Sequence, residues 1–173
     1  EMIDICIANN KYAKGEAKFE CASVFDYSVT QSSVDVISAQ GFIEYISLDQ
    51  LDEFFDFAQR TLKHGGSLAL GSRNRLFNLH TLNEFTELES ALGTVEKLIH
   101  EARIIQSAKN QGEALEKLTA LHYLYEQPDQ HPLTGIKVDT RYQFSPADLI
   151  TRLNKYSLEV ISIILITSRL YLF

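Results

Sequence analysis

Val34–Gly71 constrains this chain more than any other stretch. It reads Ser33-Val-Asp-Val-Ile-Ser-Ala-Gln-Gly-Phe-Ile-Glu-Tyr-Ile, then an amphipathic segment, then Leu62-Lys-His-Gly-Gly-Ser-Leu-Ala-Leu-Gly. That is strand, loop, helix, glycine turn, strand. Val34–Ser38 is an almost continuous apolar run, which predicts a strand covered on both faces. Ser47-Leu-Asp-Gln predicts a capping box, with the Ser47 hydroxyl on a free amide and Gln50 reaching back. Behind it Leu51, Phe54, Phe55, Ala58 and Leu62 fall on one helical face, and Asp52, Glu53, Asp56 and Gln59 face water. Asp49 and Glu53 early, with Arg60 and Lys63 late, complement the helix dipole. Gly65-Gly66 ends the helix and turns the chain into Ser67–Leu70. Two strands joined by a short crossover helix run parallel, with a right-handed connection. Open α/β sheets bind ligands where such strands end, and the small-residue loop after Ser38 sits there. Nothing upstream in the chain supplies the first cofactor loop that such a sheet normally uses.

Length and charge narrow the class. A chain of 173 residues is one domain, or most of one. Sixteen Lys and Arg against 23 Asp and Glu give a net charge of -7 with no long basic tract, which argues against nonspecific nucleic-acid binding. No apolar run reaches transmembrane length; even Ser157–Phe173 is broken by Glu159, Ser162, Thr167, Ser168 and Arg169. Cys6 and Cys21 lack a metal-ligand spacing and read as two buried thiols of a cytoplasmic protein. The chain opens on a helical pattern and closes on a strand-like one, so a fragment of a longer protein is expected. The scattered histidines His64, His80, His100, His122 and His131 form no metal-binding pair, and no metal is expected.

The remaining segments complete an α/β order. Met2–Ala13 predicts a helix stopped by Gly15, and Phe19–Val24 a short strand. Gly71–Leu79 is a polar, basic loop. Thr81 and Glu84 predict a second capping box. Residues 82–126 carry a helical pattern broken near Gly93 and near Asn110-Gln-Gly112, so two or three helices form an insertion beside the sheet. Ser145-Pro-Ala-Asp is a strong helix start, with Leu149, Ile150 and Leu153 facing inward. Leu158–Ile166 and Arg169–Phe173 read as strands, antiparallel at one edge.

Taken together, the motifs resemble those of class I S-adenosylmethionine-dependent methyltransferases. Phe19-Glu-Cys-Ala-Ser-Val-Phe-Asp resembles the family's third strand and adenine-contacting loop. Val34-Asp-Val-Ile-Ser-Ala-Gln-Gly-Phe-Ile-Glu-Tyr-Ile resembles its fourth strand and following loop, with Tyr45 at the place of a frequent histidine. Leu62-Lys-His-Gly-Gly-Ser-Leu-Ala-Leu resembles the fifth-strand turn, and Phe144-Ser-Pro-Ala-Asp-Leu-Ile with Leu158-Glu-Val-Ile-Ser-Ile the late helix and sixth strand. The family's glycine-rich first motif and second strand are missing from the chain. The resemblance covers nearly all 173 residues and implies one truncated methyltransferase domain, 1–173. Its expected fold is a partial Rossmann-like sheet with the helical insertion at about 82–126.

The same resemblance implies a site. Ser23, Val24 and Phe25 fall where the adenine ring lies, a hydroxyl for a ring nitrogen and a ring for stacking. Ala39, Gln40 and Gly41 would wall the cofactor, small residues allowing close backbone approach. Tyr45 lies near the methyl-transfer channel, where it would position an acceptor oxygen; Glu44 beside it braces a helix or lines the same channel. Arg73, Asn74, Arg75 and Asn78 form a polar cluster after a strand end, suited to an acceptor carboxylate or phosphate. His80 is the best candidate for proton removal. Arg141 and Tyr142 would complete the acceptor pocket. The implied activity is methyl transfer from S-adenosylmethionine to a small or medium acceptor. The competing readings are an inactive or partner-dependent binding module of the same fold and another nucleotide-using α/β enzyme. The 82–126 helices suit either an acceptor pocket or a homodimer face.

Overall fold

The computed structural model describes residues 2–10, 17–80, 82–127, 142–166 and 169–172. Four strands form one sheet in the order β1-β2-β4-β3, with β1 at Val34–Gln40, β2 at Leu62–Arg73, β3 at Ile163–Ile166 and β4 at Arg169–Leu172. β1 and β2 are parallel, as their crossover through α2 (Leu48–Thr61) requires. β4 runs antiparallel to both β2 and β3. The expected antiparallel pair is therefore present. Its first strand begins at Ile163 rather than Leu158, because Leu158–Ser162 makes no ladder.

Local chemistry accounts for the crossover. Ser47 Oγ accepts the Gln50 amide at 3.1 Å, and Gln50 Oε1 accepts the Ser47 amide at 3.0 Å, so the capping box is complete. Leu51, Phe54, Phe55 and Ala58 are buried along one face of α2. The glycine turn lies inside β2. Val34 pairs with Leu62 and Val36 with Ser67, so one residue of β1 is matched by the four residues 63–66 in a wide bulge. Gly65 there has φ +78°. A Cβ on Gly66 would sit 3.0 Å from the Lys63 carbonyl oxygen and 3.1 Å from that of Asp35. Lys63 Nζ spans the bulge to the Asp35 carboxylate at 2.8 and 2.9 Å.

The sheet does not bury β1 on both faces, contrary to the expectation from its apolar run. Ile37 pairs with Leu68 and Ala39 with Leu70. These four side chains share the face that packs on α2 and on α6, the helix Pro146–Asn154. Val36 points the other way and is 60% exposed. The core there is aromatic, with Phe42 and Phe54 edge to face at 5.2 Å and Phe144 fully buried.

Three further expectations are corrected. Phe19–Val24 is irregular and turns at Val24–Asp26, because no strand lies alongside it among the described residues to complete its backbone hydrogen bonds. Cys21 within it is exposed and Cys6 half-buried, so the thiols are free but not both buried. α1 spans Met2–Asn9 and buries none of its side chains; Ala13 lies outside the described residues.

The insertion comprises α3 (Glu84–Ala91), α4 (Val95–Ser107) and α5 (Gln111–Thr119). The cap of α3 is Asn83, whose Oδ1 accepts the Phe85 and Thr86 amides at 3.0 and 3.3 Å. Thr86 closes the box, where Thr81 and Glu84 were expected; Thr81 lies outside the described residues. α6 starts as its sequence predicts, with Ser145 Oγ accepting the Asp148 amide at 3.2 Å and Pro146 in the first turn.

Candidate active site at the C-terminal ends of the parallel strands

β1 ends at Gln40 beside Gly71, and β2 continues two residues further to Arg73. Gly41 then turns with φ +62°, and its amide donates to the Gly71 carbonyl at 3.1 Å. A Cβ at Gly41 would lie 3.9 Å from Glu44 Oε1, so the buried Glu44 carboxylate stands directly behind this turn. Gln40 is exposed, and its Nε2 donates to the Ala69 carbonyl at 3.1 Å. Its amide oxygen has no partner among the described residues.

The two segments expected to hold the cofactor meet through aromatic rings. The Phe25 ring lies 6.4 Å from that of Phe42, the residue after Gly41. Val24 and Phe25 pack on the core edge. Ser23 is exposed, and its hydroxyl accepts the Phe25 amide at 3.3 Å. Ala39 is buried in the sheet face, so only its backbone is offered to the strand end. The arrangement fits the adenosine end of a cofactor: an apolar ring, an amide with a spare acceptor, and a glycine turn without a Cβ.

The segments expected to hold an acceptor are divided by burial. Tyr45 is 48% exposed at the end of the short turn Ile43–Tyr45. Tyr142 is buried, and its amide donates to the Glu44 carbonyl at 2.9 Å, which brings the 142–145 segment against that turn. Phe144 then exchanges backbone bonds with Arg73 and Arg75 at 3.1 and 3.0 Å. Arg73 is partly exposed and His80 exposed, its ring 6.0 Å from Phe77. Asn74 is spent on capping the Arg75–Leu79 turn, accepting the Leu76 amide at 3.0 Å. Arg141 lies outside the described residues.

Arg75 and Asn78 are not presented to solvent. Arg75 is 2% exposed, and its Nε and Nη2 donate to the two Glu89 oxygens at 2.8 and 3.0 Å. Asn78 Nδ2 donates to Glu89 Oε1 at 2.7 Å, and Thr94 Oγ1 donates to Glu89 Oε2. Arg75 Nη1 donates to the Glu126 carbonyl at 2.9 Å, and the guanidinium carbon lies 4.9 Å over the Tyr125 ring. A guanidinium so fully engaged ties the post-β2 loop to the insertion.

The sequence reading singled out neither Glu89 nor Glu101, yet both are buried. Glu101 is fully buried on α4, accepting Tyr125 Oη at 2.5 Å, Ser145 Oγ at 2.9 Å and the Ala147 amide at 2.9 Å. Burial pushes its carboxyl above the ordinary glutamate range, against the pull of those hydrogen bonds. Burial, then the neighbouring Glu101, likewise raises Tyr125. A signal for Glu101 was present: it sits three residues after Leu98 and three before Ile104, in the middle of the buried stripe. Among the described residues no group of three or more His, Cys, Asp or Glu side chains could hold a metal ion. No helix among them is long and apolar enough to cross a membrane.

Residues 1–70 match the family model described as a methyltransferase domain. The methyltransferase match takes in Ser23–Phe25, Ala39–Gly41 and Tyr45, and ends at Leu70 within β2. Methyltransferases of this family use S-adenosylmethionine as methyl donor, and the parallel β1–β2 pair is consistent with their α/β, Rossmann-like fold. No curated protein and no solved structure matches the chain.

Proposed function

We propose that this chain provides the adenosine-binding and acceptor-facing part of a cytoplasmic methyltransferase that acts on a small or medium acceptor. The observation that carries the reading is the meeting of Phe25 and Phe42 beside the Gln40–Gly41 strand end, inside the matched stretch. S-adenosylmethionine supplies an electrophilic methyl group, and the protein's task is alignment and exclusion of water. Ser23, Val24 and Phe25 bind the adenine end, and Ala39, Gln40 and Gly41 form its wall. Tyr45 orients the acceptor from the exposed rim, Arg73 attracts an acidic acceptor, and His80 removes a proton where the acceptor carries one.

Calorimetric titration of S-adenosylmethionine into the protein tests the cofactor half. Gln40→Ala, which removes the amide at the strand end, is expected to weaken binding by about tenfold, the worth of one good hydrogen bond. Unchanged affinity would reduce Gln40 to a turn residue and move the cofactor wall elsewhere. For the acceptor half, methyl transfer to small carboxylates, amines and phenols is compared for the native protein and His80→Ala. A lower kcat with unchanged cofactor affinity is the expected result.

A further inference from the structure

Five charged side chains are buried where the insertion meets α6 and the post-β2 loop. Glu89, Glu101 and Asp148 are 1%, 0% and 0% exposed, and Arg75 and Arg152 are 2% and 7% exposed. Arg75 is committed to Glu89, and Arg152 Nε to Asp148 Oδ1 at 3.0 Å. That leaves Glu101 with neutral donors only: a phenol, a hydroxyl and one backbone amide. Asp148 Oδ2 also makes no hydrogen bond among the described residues. Among the described residues, with every group ionised, the buried cluster carries one negative charge in excess. An uncompensated charge in such surroundings is costly enough that the group takes up a proton instead.

We infer that this cluster keeps a proton on Glu101 above the pH at which an ordinary glutamate loses it, and that losing it loosens α4 from α6 and the 121–127 segment. The short contact with Tyr125 Oη suits a carboxyl that shares a proton with a phenol. The groups facing Glu101 are Tyr125 from the 121–127 segment and Asp148 with Arg152 from α6. Beyond them lie Arg75 over the Tyr125 ring and Glu89, its partner on α3. On α4 itself Lys97 stands 6.0 Å from the Tyr125 centroid, and His100 bonds the Tyr123 hydroxyl at 3.1 Å; both are exposed. Glu101 is the node at which α4, the 121–127 segment and the start of α6 converge. Its ionisation places charge where the three elements touch. The burial that raises its carboxyl gives the direction of the switch: docked when protonated, loosened as pH rises through the folded value.

The test is a carbon-13 titration of the glutamate and aspartate side-chain carboxyls of the whole chain, from about pH 4 to about pH 9, across the ordinary glutamate value and well above it. One carboxyl, that of Glu101, is expected to titrate above the ordinary range. Amide hydrogen exchange, corrected for its intrinsic pH dependence, reads the docking. Protection in α4, α5 and the first turn of α6 should fall about tenfold for each unit by which that titration exceeds the ordinary value. Glu101→Gln should abolish this pH dependence, because the amide cannot ionise. Ordinary titration of every glutamate, or protection that does not change with pH, overturns the inference. So does a raised titration that survives in Glu101→Gln and disappears in Asp148→Asn. If Glu101→Gln does not fold, the carbon-13 titration and exchange of the native chain decide the matter alone.

Discussion

A single arginine shows how burial reassigns a residue. Arg75 stands in a basic loop past a strand end, and its sequence context suits anion recognition. The structure turns all three of its nitrogens inward, on Glu89 and the Glu126 carbonyl. Arg75→Ala strands the Glu89 carboxylate without its cation, and an unpaired buried charge costs about 3–5 kcal/mol. Arg73→Ala, two residues earlier and partly exposed, should cost less than about 0.5 kcal/mol. Urea unfolding of both variants separates them; equal destabilisation would mean that the ion pair contributes nothing specific. Nothing local in the sequence distinguishes these two arginines. The pairing depends on a glutamate 14 positions away, on a helix whose orientation only tertiary packing sets. Glu101 was more legible, because an acid between Leu98 and Ile104 breaks an apolar stripe from within.

At the level of elements, the self-contained starts of α2 and α6 were read correctly from sequence, whereas the cap of α3 falls at Asn83 rather than Thr81 and Phe19–Val24 does not form a strand. Ser47 with Gln50, and Ser145 with Pro146, carry their start signals within four residues. The β1–α2–β2 order follows from such signals together with Gly65 and Gly66. Phe19–Val24 has strand-like composition, yet a strand exists only beside another, and none lies there among the described residues. The apolar run of β1 overstated its burial for a similar reason: period-two exposure shows only once Ile37 and Ala39 face α2 and Val36 does not. Of the candidate site, the strand-end turn Gln40–Gly41 was visible in sequence, whereas the division of residues 73–80 into buried and exposed members was not. Because the cap of α2 is local and complete, Ser47→Ala should lower stability by about 1 kcal/mol while leaving the fold intact. Thermal unfolding followed by circular dichroism measures this. A loss much larger than that would mean that Ser47 supports more than its own helix.

For the molecule as a whole, β1 is the exposed end of the sheet. Its side away from β2 pairs with no strand among the described residues, and Val36 on it is 60% exposed. An open, partly apolar edge recruits other edges. The chain is expected to self-associate with increasing concentration, seen as a rising weight-average mass in sedimentation. Val36→Lys, a charge on that strand, should suppress the association. A native protein that stays monomeric at the highest soluble concentration would mean the edge is protected by other means.

The order β1-β2-β4-β3 sets a timetable for synthesis. β3 leaves the ribosome before β4, yet β4 must lie between it and β2. Until then the nascent chain has to hold β3 one strand-width away from β2, a gap of about 4.8 Å beyond direct pairing. α6, which precedes β3 in the chain, is seated on the core by Leu149 and Leu153. Should β3 dock early, it would meet β2 directly as a parallel neighbour and shut β4 out. Among the described strands, β3 can therefore take its place only once β4 is available to pair with both neighbours.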